Sequence, residues 1–214
     1  LVIDFGIIIA QDVIDAFELG IINSHFSLLP QWRGADPITF SLLSGQTTTG
    51  VSLMLINDKM DEGPLLAQSP FDLPAGITTP QLTEELIELS DASLREIMPR
   101  YLAGDIQPVP QPAETPTYSR KLSKADGLLD FTKPAAVLER EIRAFAGWPQ
   151  SRTRLGDIDV VITAAHAGGG TLIPAGKLLP AKHSLEISCG EGYLHIDKLK
   201  PAGKSEMTIS AFMA

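Results

Sequence analysis

The chain has 214 residues, of which 44% are hydrophobic and 20% are charged, enough apolar material for one or two ordinary globular domains. Its formal net charge of −9 argues against indiscriminate binding to nucleic acid, which requires a broad basic face. No apolar run approaches the roughly 20 residues that cross a membrane, and the single cysteine, Cys189, cannot build a disulfide framework, so we expect a cytoplasmic protein.

The first region alternates apolar runs with short amphipathic stretches. We predict a strand over 1–9, a helix over 11–19, a strand over 20–25, a helix over 35–44 and a strand over 49–57. This alternation is typical of an α/β layer. Because the chain opens directly into an apolar strand, we expect a neighbouring strand to precede it in a longer protein.

A longer helix and a proline-rich segment follow. After a bend that contains Pro70 and Pro74, the leucine spacing predicts a helix from Thr79 to Tyr101, closed by Gly104. Residues 105–117 carry four prolines and no apolar period, which indicates a semi-extended linker. The predicted domains are 1–104 and 118–214, with the linker over 105–117.

The second region combines one helix with short strands. Pro134 begins a predicted amphipathic helix that ends near Gly147. The predicted strands cover 151–155, 158–164, 176–179, 184–189, 193–200 and the residues from Thr208 onward. Short strands broken by glycines resemble a small antiparallel barrel. Residues 168–170 are three glycines that we interpret as a flexible turn, since no helix beginning with Lys-Ser/Thr follows them as in a phosphate loop.

Asn23 and His25 end the second predicted strand. Alternate residues of a strand point to the same side, so the two side chains can converge on one point. The carboxyl ends of strands in an α/β sheet are where ligands bind. An amide beside an imidazole can hold the oxygen of a carbonyl carbon under attack and carry a proton. The alternative is a strand-end pair that only caps a turn.

Asp61 is a third polar residue at the same predicted sheet edge. It follows the strand that contains Gly50 and Met54, and it precedes the turn at Gly63 and Pro64. A rigid turn there would let the carboxylate orient His25 and accept a proton. The alternative is a turn aspartate that bonds its own backbone.

The order and spacing of these motifs resemble the formyltransferase catalytic domain. The motifs are Asn23-x-His25-x-Ser27-Leu28-Leu29-Pro30, Trp32-Arg33-Gly34-x-x-Pro37, Gly50-Val51-x-x-Met54 and Met60-Asp61-x-Gly63-Pro64. The second region resembles the C-terminal domain of the methionyl-tRNA formyltransferase family. Its motifs are Tyr118 to Lys124, Arg143-Ala144-Phe145 with Trp148-Pro149, and Lys200 to Lys204.

The resemblance implies a fold, a reaction and roles for three residues. The fold would be the C-terminal part of a Rossmann-like formyltransferase domain followed by a small oligonucleotide-binding-type β-barrel. The reaction would transfer a formyl group from 10-formyltetrahydrofolate, the co-substrate, to the α-amino group of methionyl-initiator-tRNA, without a metal. Asn23 and protonated His25 would stabilise the oxyanion, while Asp61 would position His25 and relay the proton.

The resemblance also assigns binding residues. The folate pocket would be lined by Gly6, Ile7, Ile8, Ser27, Leu28, Leu29 and Pro30. Arg120, Lys121 and Lys124 would meet tRNA phosphates, although a solvated linker end explains the same charges. We expect a monomer, and we expect this chain alone to be inactive, because the first half of the catalytic sheet would be missing.

Some features depart from the family pattern or stay ambiguous. Phe26 stands where the family usually has a small residue or proline, and Ala10 where proline is common, so either can reshape the folate pocket. Trp32 and Arg33 fit either ligand contacts or an aromatic anchor beside a solvated arginine.

The Asn, His and Asp trio leaves other functions open. Sugar-nucleotide formyltransferases are the main alternative, because they can carry a similar second domain. The second domain argues against glycinamide ribonucleotide formyltransferase and formyltetrahydrofolate hydrolase. Outside catalysis, the chain could be a non-catalytic RNA-binding fragment, which predicts binding without turnover.

Overall fold

The computed structural model describes residues 1–3, 9–113, 115–170, 173–180 and 184–214. Three residues assigned to the folate pocket, Gly6, Ile7 and Ile8, lie outside the described residues, as does most of the first predicted strand. The chain forms two compact units, Leu1–Ile77 with Gln81–Lys121 and Thr78–Pro80 with Leu122–Ala214. Within the described ranges, no helix is long and apolar enough to cross a membrane.

The first unit is built on a mixed sheet. In chain order its elements are β1 (Val2–Ile3), α1 (Gln11–Asp15), β2 (Ile22–His25), β3 (Arg33–Gly34), α2 (Pro37–Ser44), β4 (Thr48–Leu55), β5 (Leu65–Asp72), α3 (Thr79–Leu102) and β6 (Tyr118–Ser119). Four strands lie in the order β1-β2-β4-β5. β1 runs parallel to β2, and β4 runs antiparallel to β2 and β5. Every residue of β4 except the two at its ends is buried, so this strand forms the centre of the sheet.

The helices of the first unit begin and end for identifiable reasons. Asp36 caps α2 by accepting a hydrogen bond from the Thr39 backbone N–H, and Gly45 ends that helix in the left-handed conformation. The predicted helix over 11–19 is wrong at its end, because α1 stops at Asp15. Ile14 is the one buried residue of α1, and Phe17 is exposed, so no apolar face continues the helix.

The predicted long helix is confirmed as α3, which buries Leu82, Leu86, Leu94 and Ile97. Two pairs of hydroxyl groups join it to the sheet. Ser90 Oγ lies 2.7 Å from Ser24 Oγ of β2, and Ser93 Oγ lies 2.7 Å from Ser69 Oγ of β5. These bonds satisfy polar groups that packing has removed from water.

β5 is a strand that the sequence pattern did not predict. We interpreted its residues as a bend because of Pro70 and the following Pro74. In the structure β5 is the last strand of the sheet order, and Pro70 pairs with Gly50. Proline cannot donate a hydrogen bond to a ladder but is tolerated on an edge strand, so the bend interpretation was wrong for Leu65–Asp72.

The described residues of the predicted linker, 105–113 and 115–117, belong to the first unit. Val109 and Leu65 exchange two backbone hydrogen bonds of 2.8 and 2.7 Å. The Thr117 carbonyl accepts a bond of 2.9 Å from the Arg33 backbone N–H, and β6 continues by pairing in parallel with β3. The compact units therefore divide after Lys121, whereas the predicted second domain begins at residue 118; the functional domain limits stay a prediction.

The second unit is one antiparallel sheet with a helix packed on it. Its elements are a 3₁₀ helix (Lys124–Gly127), α4 (Ala135–Ala144), β7 (Ser151–Leu155), β8 (Ile158–Gly168), β9 (Leu178–Pro180), β10 (Leu185–Ser188), β11 (Tyr193–Pro201), β12 (Met207–Thr208) and α5 (Ile209–Phe212). The strand order is β7-β8-β11-β10-β9, with β12 also paired to β11. Leu138 and Ile142 of α4 enter the same core as Leu194 and Leu199 of β11.

Two predictions for this unit need correction. Gly168 belongs to β8 rather than to a flexible turn, and it pairs with Tyr193. A Cβ atom there would lie 2.2 Å from His195 Nε2, so a larger residue at this position would require the His195 ring to move. The residues after Thr208 form the short helix α5 instead of a strand, because Thr208 caps that helix by accepting a bond from the Ala211 backbone N–H.

Candidate active site

His25 is the last residue of β2, and Asn23 precedes it on the same side of the strand. Only 6% of the His25 side chain is exposed, whereas Asn23 is half-buried. The Asn23 side-chain amide forms no hydrogen bond with the described residues. A buried imidazole and a free amide therefore stand side by side at the end of a strand.

The two nitrogens of the His25 ring face different groups. Nε2 lies 2.9 Å from the Trp32 carbonyl oxygen; because a carbonyl can only accept, this contact places a proton on Nε2. Nδ1 faces Asp61 Oδ1 at 3.8 Å, which is too long for a hydrogen bond. Burial lowers the pKa of His25 from its ordinary value, against the opposing effects of Asp61 and the Trp32 carbonyl. The ring is therefore neutral at neutral pH in this arrangement.

The Asp61 side chain is held by a contact with strand β3. Its Oδ2 accepts a hydrogen bond of 2.8 Å from the Gly34 backbone N–H. The carboxylate thus bonds a residue of strand β3, which argues against the alternative of a turn aspartate that only bonds its own backbone. Asp61 has a φ of +52°, and Trp32, whose carbonyl contacts His25, has a φ of +56°. Both are non-glycine residues in the left-handed region, which must be maintained by surrounding structure.

The loop that follows His25 is fixed by polar groups of β4 and β5. Ser52 Oγ donates to the Ser27 carbonyl at 2.6 Å and accepts from the Leu29 backbone N–H at 3.0 Å. Gln68 Nε2 donates to the Leu29 carbonyl at 2.8 Å. Ser27, Leu29 and Pro30 are buried, and Leu28 is half-buried. Their assigned role in a folate pocket stays a prediction, in which Leu28 is the residue with accessible side-chain surface.

Arg33 and Gln111 form a polar cluster beneath Asp61 that the sequence analysis missed. Arg33 is not solvated: its Nε and Nη2 donate to Gln111 Oε1 at 3.2 and 2.7 Å, and its Nη1 lies 3.2 Å from Glu62 Oε1. Gln111 Nε2 donates to the backbone carbonyls of Asp61 and Gly63 at 2.7 and 3.0 Å. Gln111 lies in a proline-rich segment without apolar period, so no sequence signal marked it.

The residues assigned to tRNA are exposed in both units. Arg120 and Lys121 end the first unit, and the Arg120 guanidinium lies 6.0 Å from the centre of the Phe40 ring. Lys124 is exposed in the 3₁₀ helix of the second unit, where its carbonyl accepts a hydrogen bond from Arg152. A cavity of about 460 Å³ in that unit is lined in part by Arg152, Arg154 and Lys200. Exposed cations can meet phosphate groups.

No metal centre can be assigned in the part of the chain that the structure describes, because no three His, Cys, Asp or Glu side chains converge there as ligands. The expectation that the chemistry requires no metal stays a prediction.

Comparison with known proteins identifies the family. The formyl transferase model matches residues 1–98, and the model of the formyl transferase C-terminal domain matches residues 121–214. A methionyl-tRNA formyltransferase from Myxococcus xanthus is 40% identical over 209 residues, which cover 98% of this chain and 67% of that protein. The chain belongs to the methionyl-tRNA formyltransferase family. Another family member, from Halorhodospira halophila, is 39% identical and covered over 69% of its length.

Solved structures show a similar fold at lower identity. An N-formyltransferase from Helicobacter canadensis, in complex with folinic acid and dTDP-3-aminofucose, matches with a TM-score of 0.67 and 19% identity over 82% of this chain and 65% of that chain. HypX from Aquifex aeolicus in complex with tetrahydrofolic acid matches with a TM-score of 0.65 and 16% identity over 90% of this chain and 34% of that chain. At these identities the likeness shows that this chain shares the fold of the two proteins, and it shows nothing about function.

Proposed function

We propose that this chain carries the catalytic site that moves a formyl group from 10-formyltetrahydrofolate to the α-amino group of methionyl-initiator-tRNA, and that Asn23, His25 and Asp61 perform this step. The observation that carries the proposal is the buried, neutral His25 that faces a carboxylate fixed by the Gly34 backbone N–H. Membership of the methionyl-tRNA formyltransferase family supports the choice of donor and acceptor.

The first step is attack of the amine nitrogen on the formyl carbon. A C–N bond forms, and the formyl oxygen becomes negative. The Asn23 amide, which forms no hydrogen bond with the described residues, can donate to that oxygen. A preorganised donor of this kind stabilises charge that develops in the transition state without a reorganisation cost.

The second step removes the amine proton. A neutral His25 is a base, and its Nδ1 faces Asp61 at 3.8 Å, so it can accept the proton while the carboxylate stabilises the imidazolium. The bond between the formyl carbon and N10 of the folate then breaks, and N10 takes the proton as tetrahydrofolate leaves. In this order the positive charge on His25 follows the attack, whereas the resemblance alone implied a protonated His25 from the start.

The two units fit the domains of such an enzyme. We assign the first unit to the C-terminal part of a Rossmann-like domain, supported by β1, α1 and the parallel strand β2. The antiparallel sheet of the second unit supports an oligonucleotide-binding-type barrel. The folinic acid and tetrahydrofolic acid bound in two similar structures support a folate site in this chain, to which the family resemblance assigns Leu28 and residues 6–8. Arg120, Lys121 and Lys124 are the proposed tRNA contacts of a cytoplasmic, monomeric, metal-independent enzyme.

The test is formyl transfer with the acceptor varied. The assay uses this chain and a longer polypeptide in which the Myxococcus xanthus relative supplies the first half of the catalytic domain. We expect the longer polypeptide to formylate methionyl-initiator-tRNA. We expect His25→Ala to lower the rate of formyl transfer by roughly 100- to 10,000-fold. The matched control is His166→Ala, an exposed histidine of the second unit, which should keep the rate.

Other outcomes of this assay point to other functions. Turnover with an amino-sugar nucleotide but not with tRNA would move the assignment to a sugar-nucleotide formyltransferase. Binding of tRNA without turnover on either acceptor would leave a non-catalytic RNA-binding protein.

A further inference from the structure

Two backbone positions determine the geometry around His25, and both are strained. Trp32 supplies the carbonyl that holds His25 Nε2, and Asp61 supplies the carboxylate that faces Nδ1. Their φ angles of +56° and +52° lie in the left-handed region, which is unfavourable for residues with a Cβ atom. Such conformations persist only where neighbouring groups hold them, so the groups that bond these two residues contribute to the site.

Trp32 and Asp61 both form hydrogen bonds with one stretch of chain, from Val109 to Ser119. We call it the 109–119 segment; Glu114 within it lies outside the described residues. Gln111 Nε2 donates to the Asp61 carbonyl at 2.7 Å. Thr117 Oγ1 accepts from the Trp32 backbone N–H at 2.8 Å. The same stretch thus contacts each strained residue at its backbone, away from the atoms that face His25.

Gln111 uses all of its hydrogen-bonding capacity in this arrangement. Both hydrogens on Nε2 go to carbonyls, those of Asp61 and Gly63, and both lone pairs of Oε1 go to the Arg33 guanidinium. A flipped amide would point its donors at the guanidinium and its oxygen at two carbonyls. The chemistry of its neighbours therefore fixes the orientation of Gln111, and Arg33 is in turn held by Glu62.

We propose that Gln111 is a positioning residue, which holds the Asp61 turn so that its carboxylate faces His25 Nδ1 and can stabilise the imidazolium. The role rests on the proposed function of the His25 and Asp61 pair. Gln111 does not touch substrate; it acts through the backbone of Asp61. A displacement of about 1 Å at a reacting group can cost roughly 100-fold in rate, so loss of this bond should appear in kcat rather than in substrate binding.

The test separates the two sides of the Gln111 amide. Gln111→Glu keeps an oxygen for Arg33 but replaces the donor to Asp61 and Gly63 with a second oxygen, and Gln111→Met removes both sides at similar length. The matched controls are Gln107→Glu and Gln107→Met, since Gln107 is exposed in the same proline-rich stretch and bonds the Gly104 carbonyl. Kinetics of formyl transfer are measured on the longer polypeptide described above.

We expect both Gln111 variants to lower kcat by roughly 10- to 100-fold, with KM values for folate and tRNA within about twofold of the original and no change in either control. Because Asp61 raises the pKa of His25, a loosened Asp61 turn should also shift the His25 titration to lower pH. That titration is followed by NMR, with the His25 signal identified by its loss in His25→Gln.

Either of two results would overturn this role. Gln111→Glu could retain the original kcat and His25 titration, which would show that the bond to Asp61 is dispensable. Alternatively, kcat could fall in proportion to lost thermal stability while the His25 titration stays in place, which would make Gln111 merely structural. The titration does not depend on turnover, so an enzyme without activity on tRNA would contradict the proposed function and still leave the Gln111 contact testable.

Discussion

Both units contain a histidine beside a carboxylate, but the His25 pair of the first unit and the His166 pair of the second differ in how they are held. In the second unit His166 Nδ1 lies 3.0 Å from Asp197 Oδ2, and 63% of the His166 side chain is exposed. In the first unit His25 Nδ1 lies 3.8 Å from Asp61 Oδ1, and 6% of the His25 side chain is exposed. The shorter contact is therefore the one in solvent, where water and salt screen it.

The difference shows that contact distance does not reveal how firmly a histidine–carboxylate pair is held. His166 stacks on His195 with 4.7 Å between the ring centres, and this arrangement follows from their pairing across β8 and β11. No strained backbone is needed to form it. The His25 pair instead depends on two residues with left-handed backbone conformation and on the hydrogen bonds that maintain them. Strained backbone of this kind is concentrated at functional sites.

The largest expected difference between the pairs is in catalysis. Asp61→Asn keeps an oxygen that can accept from the Gly34 backbone N–H but removes the charge that faces His25. We expect the kcat/KM of formyl transfer to fall by roughly 100- to 1,000-fold. Asp197→Asn, the same change in the exposed pair, should leave kcat/KM unaltered. Equal losses in the two variants would contradict the assignment of the site to the first unit.

The next effect concerns the backbone that supports Asp61. Gly34 has a φ of +109°, and a Cβ atom there would lie 2.3 Å from the Ser119 carbonyl oxygen. Gly34→Ala should therefore lower the free energy of unfolding by roughly 2–4 kcal/mol. Gly76 also has a positive φ, +78°, but has nothing within 4 Å of the added atom, so Gly76→Ala should cost only about 1 kcal/mol. Chemical denaturation measures both, and equal costs would refute a tight approach of the 109–119 segment.

The pH dependence of stability gives a smaller difference. Burial lowers the pKa of His25 below its ordinary value of 6.5, so the unfolded chain binds the proton more readily than the folded one. Stability rises with pH wherever the unfolded state binds more protons. The contribution of neutral His25 is thus fully present above 6.5 and is lost as the pH falls below that value.

Denaturation at several pH values tests this sign. His25→Gln should remove part of the loss of stability on acidification. A wild-type profile in His25→Gln would mean that burial does not perturb His25.

The smallest effect concerns the exposed basic residues. If Arg120 and Lys121 contact phosphates, the double change Arg120→Ala with Lys121→Ala should reduce the slope of log affinity for tRNA against log salt by about 1–2. Arg95, an exposed arginine of α3 that pairs with Asp91, is the control, and Arg95→Ala should keep the slope. A slope that is unchanged in both the double variant and Arg95→Ala would favour the alternative, in which Arg120 and Lys121 are only solvated residues at the end of a linker.

Sequence pattern predicted the part of the site that lies on regular structure. Asn23 and His25 alternate along a strand, and Asp61 precedes a Gly-Pro turn, so periodicity and turn chemistry marked them as candidates. Their roles came from the family resemblance and stay a prediction. Periodicity also predicted α3, whose buried leucines recur at helical spacing. It failed for β5, because Pro70 is a strand breaker except at an edge, and edge position is a property of the sheet.

The supporting contacts could not be predicted from the sequence. Gln111 reaches Asp61 from a proline-rich segment, and the two residues are joined only by tertiary structure. Arg33 was open to interpretation as a solvated side chain, and its burial depends on the approach of Gln111 and Glu62. A single polar residue in a segment without periodicity cannot be recognised as a site residue from the sequence. Two polar residues that alternate at the end of a strand can be.

The measurement that tests the central claim most directly is a double-mutant cycle on formyl transfer with His25→Ala, Asp61→Ala and both changes together. Residues that act as one unit show strongly non-additive losses. We predict that the double variant is about as slow as His25→Ala alone. If the double variant is instead slower by the product of the two single effects, His25 and Asp61 act independently. That result would contradict the account of a buried base supported by its carboxylate.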